Sequence, residues 1–409
     1  MYFAIFLQML FRRTIQLSFT QILYASILCL LLLSSCHKRI DTANESATSD
    51  EQEIEETKTV IDPYQIRAEQ IASSLDNRLL TAQVLICGID GRGSLPPHMK
   101  LLLKESPPGG VMLFKYNLDT DNDSIRSLIS QTVSLVTDES GIAPFITVDH
   151  EGGTVNRFLP GTVDLPAANS YWELSLLQEK NTILEKIEED SNKAGRTLHS
   201  LGINLNLAPV AEYLTSDNRH FLEKRSYGPN PFFTADAARA FVRGMEQAGV
   251  LCVIKHFPGS AGADPHYSLS ALNMDRASLE NFIYPFKKLI KSGATAVMIA
   301  HSSVPVIDSK IASLSPVVMG NWLRGELGFD GIIICDDFSM AAAGNMRPEE
   351  AAVFSVSAGA DMVLVWQHDL KRTHLSFLKA LEDRRLSRKR LEDAVQRIIY
   401  RKLKSGLMD

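Results

Sequence analysis

The sequence predicts a closed, TIM-type (β/α)8 barrel in one catalytic domain, and three observations carry that expectation. Eight short runs of apolar, mostly β-branched residues recur along the chain. The stretches between them are amphipathic with helical spacing, and eight such β-then-α units in about 350 residues match a barrel with insertions. No Gly-x-Gly-x-x-Gly follows the first run, as an open doubly wound sheet binding a dinucleotide would have it.

The predicted strands, in order, are Ala82–Ile89, Gly110–Phe114, Pro144–Val148, Ile203–Pro209, Val250–His256, Ala294–Ala300, Gly331–Cys335 and Ala360–Trp366. Most are continuously apolar, as parallel strands covered on both faces should be. Leu279, Phe282, Phe286 and Leu289 follow one another at spacings of 3, 4 and 3, which predicts one helix ending near Gly293. Leu184, Ile187, Ala194, Leu198 and Leu201 form a second stripe, and Leu391, Val395, Ile398 and Leu403 line the last helix.

Composition narrows the function classes. The 409 residues include 42 Lys+Arg and 48 Asp+Glu, a formal net charge of −6, with 45% hydrophobic and 22% charged residues. This is a globular profile, and it excludes a collagenous, coiled-coil or wholly disordered chain. Mild acidity argues against nucleic acid as a partner, which would call for a basic face.

Residues 1–35 read as a lipoprotein signal peptide. Arg12 and Arg13 supply the positive region, Ile22–Leu33 is a short apolar core, and Leu33-Ser34-Ser35-Cys36 places small residues before a cysteine. The apolar core is short for a membrane span. The apolar stretch 2–11 also admits Met9 as the true start. Leu-Ser-Ser-Cys resembles the bacterial lipobox, which implies a diacylated Cys36. Without residues 1–35 the net charge is −8. Residues 36–62 then form an acidic flexible tether, since positions 41–62 carry eight acids and one Lys with few large apolar groups. The expected location is the bacterial cell envelope, lipid-anchored to a membrane and facing periplasm or exterior. Residues 63–409 are left for the barrel. Cys87, Cys252 and Cys335 each sit in an apolar run and are expected as buried thiols, not disulfides. No Cys/His spacing suggests zinc, and neither metal nor cofactor is expected.

Barrels of this kind do their chemistry at the carboxyl ends of the strands. There the third run gives Asp149-His150-Glu151-Gly152-Gly153 and then Arg157. Arg225-Ser226-Tyr227-Gly228 follows the fourth. The fifth ends in Lys255-His256-Phe257-Pro258-Gly259 and continues to Asp264-Pro265-His266, the sixth ends in His301-Ser302, and the seventh in Asp336-Asp337-Phe338. Each alone reads as a turn, a solvated loop or a helix cap. Together they bring carboxylates, His, Lys and Arg to one rim. Asp149, Arg157, Arg225, Lys255 and His256 offer the charged donors and two-point acceptors that an uncharged polyol needs. Glycosidic cleavage needs a proton donor for the departing oxygen and a carboxylate for the oxocarbenium-like carbon. Asp336 is the best-placed carboxylate, and His266 is a candidate acid whose tautomer Asp264 could fix. From the residues alone, other acid–base assignments stay open.

Five motifs in order add a resemblance: VDHEGGTVNR, RSYG, KHFPG, DPH and CDDFSM. Over roughly residues 80 to 405 the chain resembles the family 3 glycoside hydrolases, in particular their single-barrel β-N-acetylhexosaminidases. The resemblance implies Asp336 as nucleophile forming a covalent glycosyl-enzyme, His266 as general acid/base with Asp264 its partner, and Asp149, Arg157, Arg225, Lys255 and His256 as holders of the non-reducing sugar. The implied activity is a retaining exo-β-N-acetylglucosaminidase acting on peptidoglycan fragments or chitooligosaccharides, by a monomer without cofactor. Family β-glucosidases commonly take their acid from a second domain. This chain ends at Asp409, just after the eighth helix, which favours the hexosaminidase.

The sequence also departs from the family pattern. After KHFPG it reads Ser260-Ala261-Gly262-Ala263, about two residues shorter than usual and lacking a His, and Pro265 stiffens the approach to His266. His150 stands where Gln is usual and Glu212 where Asp is common. Phosphate as acceptor, a catalytically weak sugar-binding lipoprotein on the same barrel, and a family β-glucosidase are the alternative readings.

Overall fold

The computed structural model describes residues 62–262, 270–339 and 346–409. Eight parallel strands close into a barrel: β1 Leu85–Gly88, β2 Gly110–Leu113, β3 Phe145–Val148, β4 Leu205–Asn206, β5 Leu251–Phe257, β6 Ala296–Ile299, β7 Ile332–Cys335 and β8 Met362–Val365. Each strand pairs with its neighbours in sequence, and β1 closes on β8 through Leu85–Val363, Ile86–Leu364 and Cys87–Val365. The expected (β/α)8 architecture is therefore present. Cys87, Cys252 and Cys335 are buried and free, one each on β1, β5 and β7.

Apart from β5, the strands are shorter than the apolar runs that announce them. The first run loses its front because Asn77–Gln83 is helical, started by Asp76, whose carboxylate accepts the Leu79 amide. The fourth run keeps only Leu205–Asn206 as strand. Around it, side chains take over pairing: Asn204 Oδ1 accepts the Ile146 amide at 2.9 Å, and the Asn206 amide group exchanges bonds with the backbone of His150 at 3.0 and 2.9 Å.

The stripe Leu279–Leu289 lies on two helices, Arg276–Phe282 and Tyr284–Lys291, and not on one. Pro285 lacks the N–H that would continue the ladder, so it opens a second helix instead. All four stripe residues remain buried. Leu391, Val395, Ile398 and Leu403 are buried on Arg388–Lys404, as expected. On Lys180–Ser200, Ile187, Ala194 and Leu198 are buried, whereas Leu184 is partly exposed.

Two buried charge clusters stand away from the carboxyl rim. Asp361, which precedes β8, meets Arg324, Arg390 and Arg397. Lys402 is fully buried on the last helix, with Nζ 3.2 Å from Gln83 Oε1 and 5.0 Å from the centre of the Phe145 ring. Beyond the carboxyl rim, Ser270–Ala271, Ser302–Val304 and Asp308–Ile311 form a small sheet.

Candidate active site

β3 delivers the first group of polar side chains. Just past Val148, Asp149 and Glu151 project into the barrel mouth, and the chain then turns through Gly152 (φ 88°) and Gly153 (φ 56°). A Cβ on Gly152 would stand 2.3 Å from the Pro166 carbonyl, so only glycine fits both the backbone and the space. The turn brings the Glu151 amide to the Val155 carbonyl at 3.1 Å and returns Arg157 to Asp149 at 3.2 Å.

The charges then alternate across the pocket. Lys255, pointing in from β5, lies 2.8 Å from Asp149 Oδ1 and 2.6 Å from Glu151 Oε1. Arg225 grips Glu151 with two bonds, Nε at 2.8 Å and Nη2 at 2.9 Å. Three cations thus enclose two carboxylates. Burial pushes the Glu151 carboxyl upward, but Lys255 and Arg225 outweigh it and hold the group well below the usual range. Asp149 is likewise lowered: Lys255 and Arg157 overcome its burial. Lys255 is raised, because its two carboxylates exceed the cost of desolvation. Arg157 Nε is buried and has no partner among the described residues.

β4 and β5 meet at Glu212. Its Oε1 lies 2.7 Å from His256 Nδ1, and its Oε2 accepts the Ser260 amide at 2.7 Å. A carboxylate against Nδ1 calls for the tautomer with the proton there. His150 is fully buried and its ring nitrogens find no partner among the described residues; desolvation pushes its pKa down to about 4, which favours the neutral ring.

β7 ends one residue before Asp336, whose Oδ1 accepts the Asp337 amide at 2.9 Å. His301 braces this turn. Its Nε2 lies 3.1 Å from the Asp337 carbonyl and its Nδ1 2.8 Å from Ser313 Oγ. A carbonyl only accepts, so Nε2 carries the proton and Ser313 donates to Nδ1. Burial lowers the His301 pKa, consistent with a neutral ring. Burial raises Asp337, with the Asp336 charge adding to the rise and hydrogen bonds from Ser339 and Trp366 opposing it.

A cavity of about 210 Å³ opens between these groups. Asp149, Glu151, Arg157, Arg225, Lys255, His256 and Asp336 line it, with Val155, Leu207, Met298 and Leu364 as its apolar wall. Six of the residues singled out in the sequence therefore share one pocket. Asp264, His266 and Cys36 lie outside the described residues. Glu151, Glu212 and His301 were not singled out as site residues. Glu151 was visible two positions after Asp149 in the same motif, and Glu212 showed only as a substitution for Asp. The bracing role of His301 depends on contacts that spacing does not reveal.

A parallel barrel whose mouth holds buried, alternating charges, with the Asp336 carboxylate in the same pocket, suits an enzyme of neutral, hydroxyl-rich substrates. Residues 92–400 match the model of the glycosyl hydrolase family 3 N terminal domain. The chain belongs to this family and is a glycoside hydrolase. It is 34% identical over 286 residues to a beta-hexosaminidase of Methylococcus capsulatus, an alignment covering 68% of this chain and 81% of that one. A solved family 3 beta-N-acetylglucosaminidase from Paenibacillus sp. superposes with a TM-score of 0.76 at 28% identity, over 82% of this chain; the chain spans 63% of that larger structure. NagZ from Neisseria gonorrhoeae, solved with N-trifluoroacetyl-D-glucosamine, has a TM-score of 0.66 at 29% identity, over 78% and 89% of the two chains.

Proposed function

We propose that this glycoside hydrolase removes terminal β-linked N-acetylglucosamine from peptidoglycan fragments or chitooligosaccharides, with retention. The observation that carries the reading is the gathering of Asp336 and the five polar groups Asp149, Arg157, Arg225, Lys255 and His256 around one cavity. The hexosaminidase names of the relatives support the choice of sugar over glucose.

In this mechanism an Asp336 carboxylate oxygen bonds to the anomeric carbon as the bond to the leaving oxygen breaks, and His266 gives that oxygen its proton. His266 then takes a proton from water, the water oxygen bonds to the same carbon, and Asp336 leaves. Asp264 orients His266. The Asp337 amide at Oδ1 steadies the attacking carboxylate. Asp149, Arg157, Arg225, Lys255 and His256 hold the sugar hydroxyls, and the unpartnered Arg157 Nε is one donor for them.

The location belongs to the same reading: Cys36 carries the lipid, and residues 36–62 act as a tether that holds the domain at a membrane of the bacterial cell envelope, facing periplasm or exterior. Cys36→Ala should release the protein from the detergent phase or block its processing.

The deciding experiment is turnover of a chromogenic N-acetyl-β-glucosaminide beside the matching glucoside, with a fluorinated sugar to trap the intermediate. We expect hydrolysis of the first alone and added mass on the peptide containing Asp336. Label on Asp337 or Glu151 would overturn the nucleophile, and absence of any N-acetylglucosaminide turnover would favour a sugar-binding protein.

A further inference from the structure

Asp336 is held by a chain of contacts that begins outside the barrel. His301 stands two residues past β6, and the chain runs on as Ser302–Val304, the middle strand of the small sheet. That strand pairs in parallel with Ser270–Ala271 and antiparallel with Asp308–Ile311. Ser313 lies two residues beyond Ile311, in the short turn Ala312–Leu314, and is wholly buried. From there three bonds run to the carboxylate. The Ser313 hydroxyl reaches His301 Nδ1 at 2.8 Å, His301 Nε2 reaches the Asp337 carbonyl at 3.1 Å, and the Asp337 amide reaches Asp336 Oδ1 at 2.9 Å.

Each bond runs one way. The Asp337 carbonyl only accepts, so His301 donates from Nε2, and its bare Nδ1 accepts from Ser313. The Asp337 amide donates to the Asp336 carboxylate. The amide and the carbonyl of Asp337 belong to the two peptide units that flank its Cα. Fixing the carbonyl therefore limits rotation of the amide that holds Oδ1. Phe338 fixes the ring as well: its centroid lies 4.8 Å from that of His301, and both residues are buried. Burial lowers the His301 pKa although the Asp336 charge opposes the shift, so the ring brings no competing positive charge to the carboxylate. Among the described residues, those lining the cavity include Asp336 but neither His301 nor Ser313.

We propose that His301 and Ser313 are positioning residues of the reaction, which aim the Asp336 carboxylate at the anomeric carbon without touching the sugar. The inference rests on the proposed role of Asp336 as nucleophile. Attack requires a carboxylate oxygen in line with the bond to the leaving oxygen, and a misplacement of about 1 Å at a reacting group can cost about 10²-fold in rate. Asp336 stands just past the end of β7, where the strand ladder no longer fixes the backbone. The His301–Ser313 pair supplies that constraint. It also gives the small sheet a task, because the hairpin of Ser302–Val304 and Asp308–Ile311 joins one member of the pair to the other.

The test uses the full-length protein and the fluorinated sugar, with the rate of covalent labelling read by intact mass. This rate reports bond formation by the carboxylate, apart from proton delivery to a poor leaving group. His301→Phe keeps a ring against Phe338 and loses both nitrogens, and it should slow labelling about 10²-fold. Ser313→Ala frees the tautomer and should slow it about tenfold. His301→Gln keeps a donor for the Asp337 carbonyl and should stay within about tenfold of wild type. Binding of N-acetylglucosamine, measured by calorimetry, should change less than about twofold in all three, because its proposed holders lie on other strands. A purely structural role would lower the melting temperature and leave the labelling rate of the folded protein intact. Ser313→Ala and His301→Gln retain the buried ring or its donor, so they decide the matter even where His301→Phe does not fold. Labelling of Asp336 at the wild-type rate in the variants, or sugar affinity lost in step with labelling, would overturn this inference alone. Label on another residue, or no label on the wild type, would overturn the proposed nucleophile and this inference with it.

Discussion

His256 and Glu212 form a 2.7 Å pair in which the same buried carboxylate also accepts the amide of Ser260. One side chain from beyond β4 thus fixes both a pocket residue on β5 and the start of the segment that leads to His266. Under the proposed mechanism, Glu212 would couple sugar binding to proton delivery.

That coupling predicts a double defect. Glu212→Ala leaves the Ser260 amide without its acceptor, at a cost of about 1–3 kcal/mol. It also frees the His256 ring. We expect a lower melting temperature, a higher KM and a lower kcat together. Glu212→Gln still offers an oxygen to Ser260, so it should recover most of the stability but not the KM. Equal KM for Glu212→Ala and wild type would break the link.

Lys255 sits between two carboxylates, so removing its charge leaves Glu151 to Arg225 alone and Asp149 to Arg157 alone. Lys255→Met should cost about 3–5 kcal/mol of stability, the usual penalty for breaking a buried ion pair from one side. Combined with Glu151→Gln, the loss should be smaller than the sum of the single losses, because the two changes break the same Lys255–Glu151 pair. Urea unfolding of the four proteins measures the coupling.

The proton donor can be separated from the nucleophile by the leaving group. His266→Gly should lower turnover far more for a disaccharide than for a nitrophenyl glycoside, since nitrophenolate departs with little proton assistance. Similar losses on both substrates would remove His266 from the role of acid.

Lys402 gives a pH dependence away from the site. Burial pushes its ammonium down to about 7 from an ordinary 10.5. The unfolded chain therefore binds more protons than the folded one between those values, and stability from this group rises with pH across that window and stays at its minimum below it. Lys402→Met removes the titration. The melting temperature of the variant relative to wild type should be highest near pH 7 and decline toward pH 10. A difference independent of pH would contradict the shift.

Gly152 offers a backbone test. Its φ of 88° and its nearness to the Pro166 carbonyl leave no room for a side chain. Gly152→Ala should cost about 1–3 kcal/mol in strain, and it should displace Asp149 and Arg157 enough to raise KM. Thermal melting and steady-state kinetics on the same preparation would show both effects or neither.

The sequence was most legible where a property repeats. Eight apolar runs gave the barrel, and Asp336, Lys255 and Asp149 were found because charge directly follows such runs. It was least legible where side chains substitute for backbone. Asn204 and Asn206 bond the neighbouring backbone where Ile203–Pro209 promised a longer strand. The Leu279–Leu289 stripe kept helical phase through Ile283, and only Pro285 betrayed the break. Glu151 hid in plain view, since a carboxylate between two cations looks like any loop acid until the chain folds.

Ser270 holds one further consequence. Its hydroxyl accepts the Ala261 amide at 3.0 Å and donates to the Ala261 carbonyl at 2.8 Å, while Ser302 secures the Gly259 carbonyl at 2.7 Å. Ala261 and Ser270 are thus pinned to each other, so the number of residues between them does not enter the spacing of the barrel. The cost of joining two fixed ends grows with the length of the connection only as about (3/2)RT ln n, so a residue more or less between them changes it by a fraction of a kcal/mol. A segment carrying the residues proposed for proton transfer is thus free to drift in length over evolutionary time while the sugar pocket stays fixed. New leaving-group tolerances could then be acquired by insertion and deletion, with no repacking of the core.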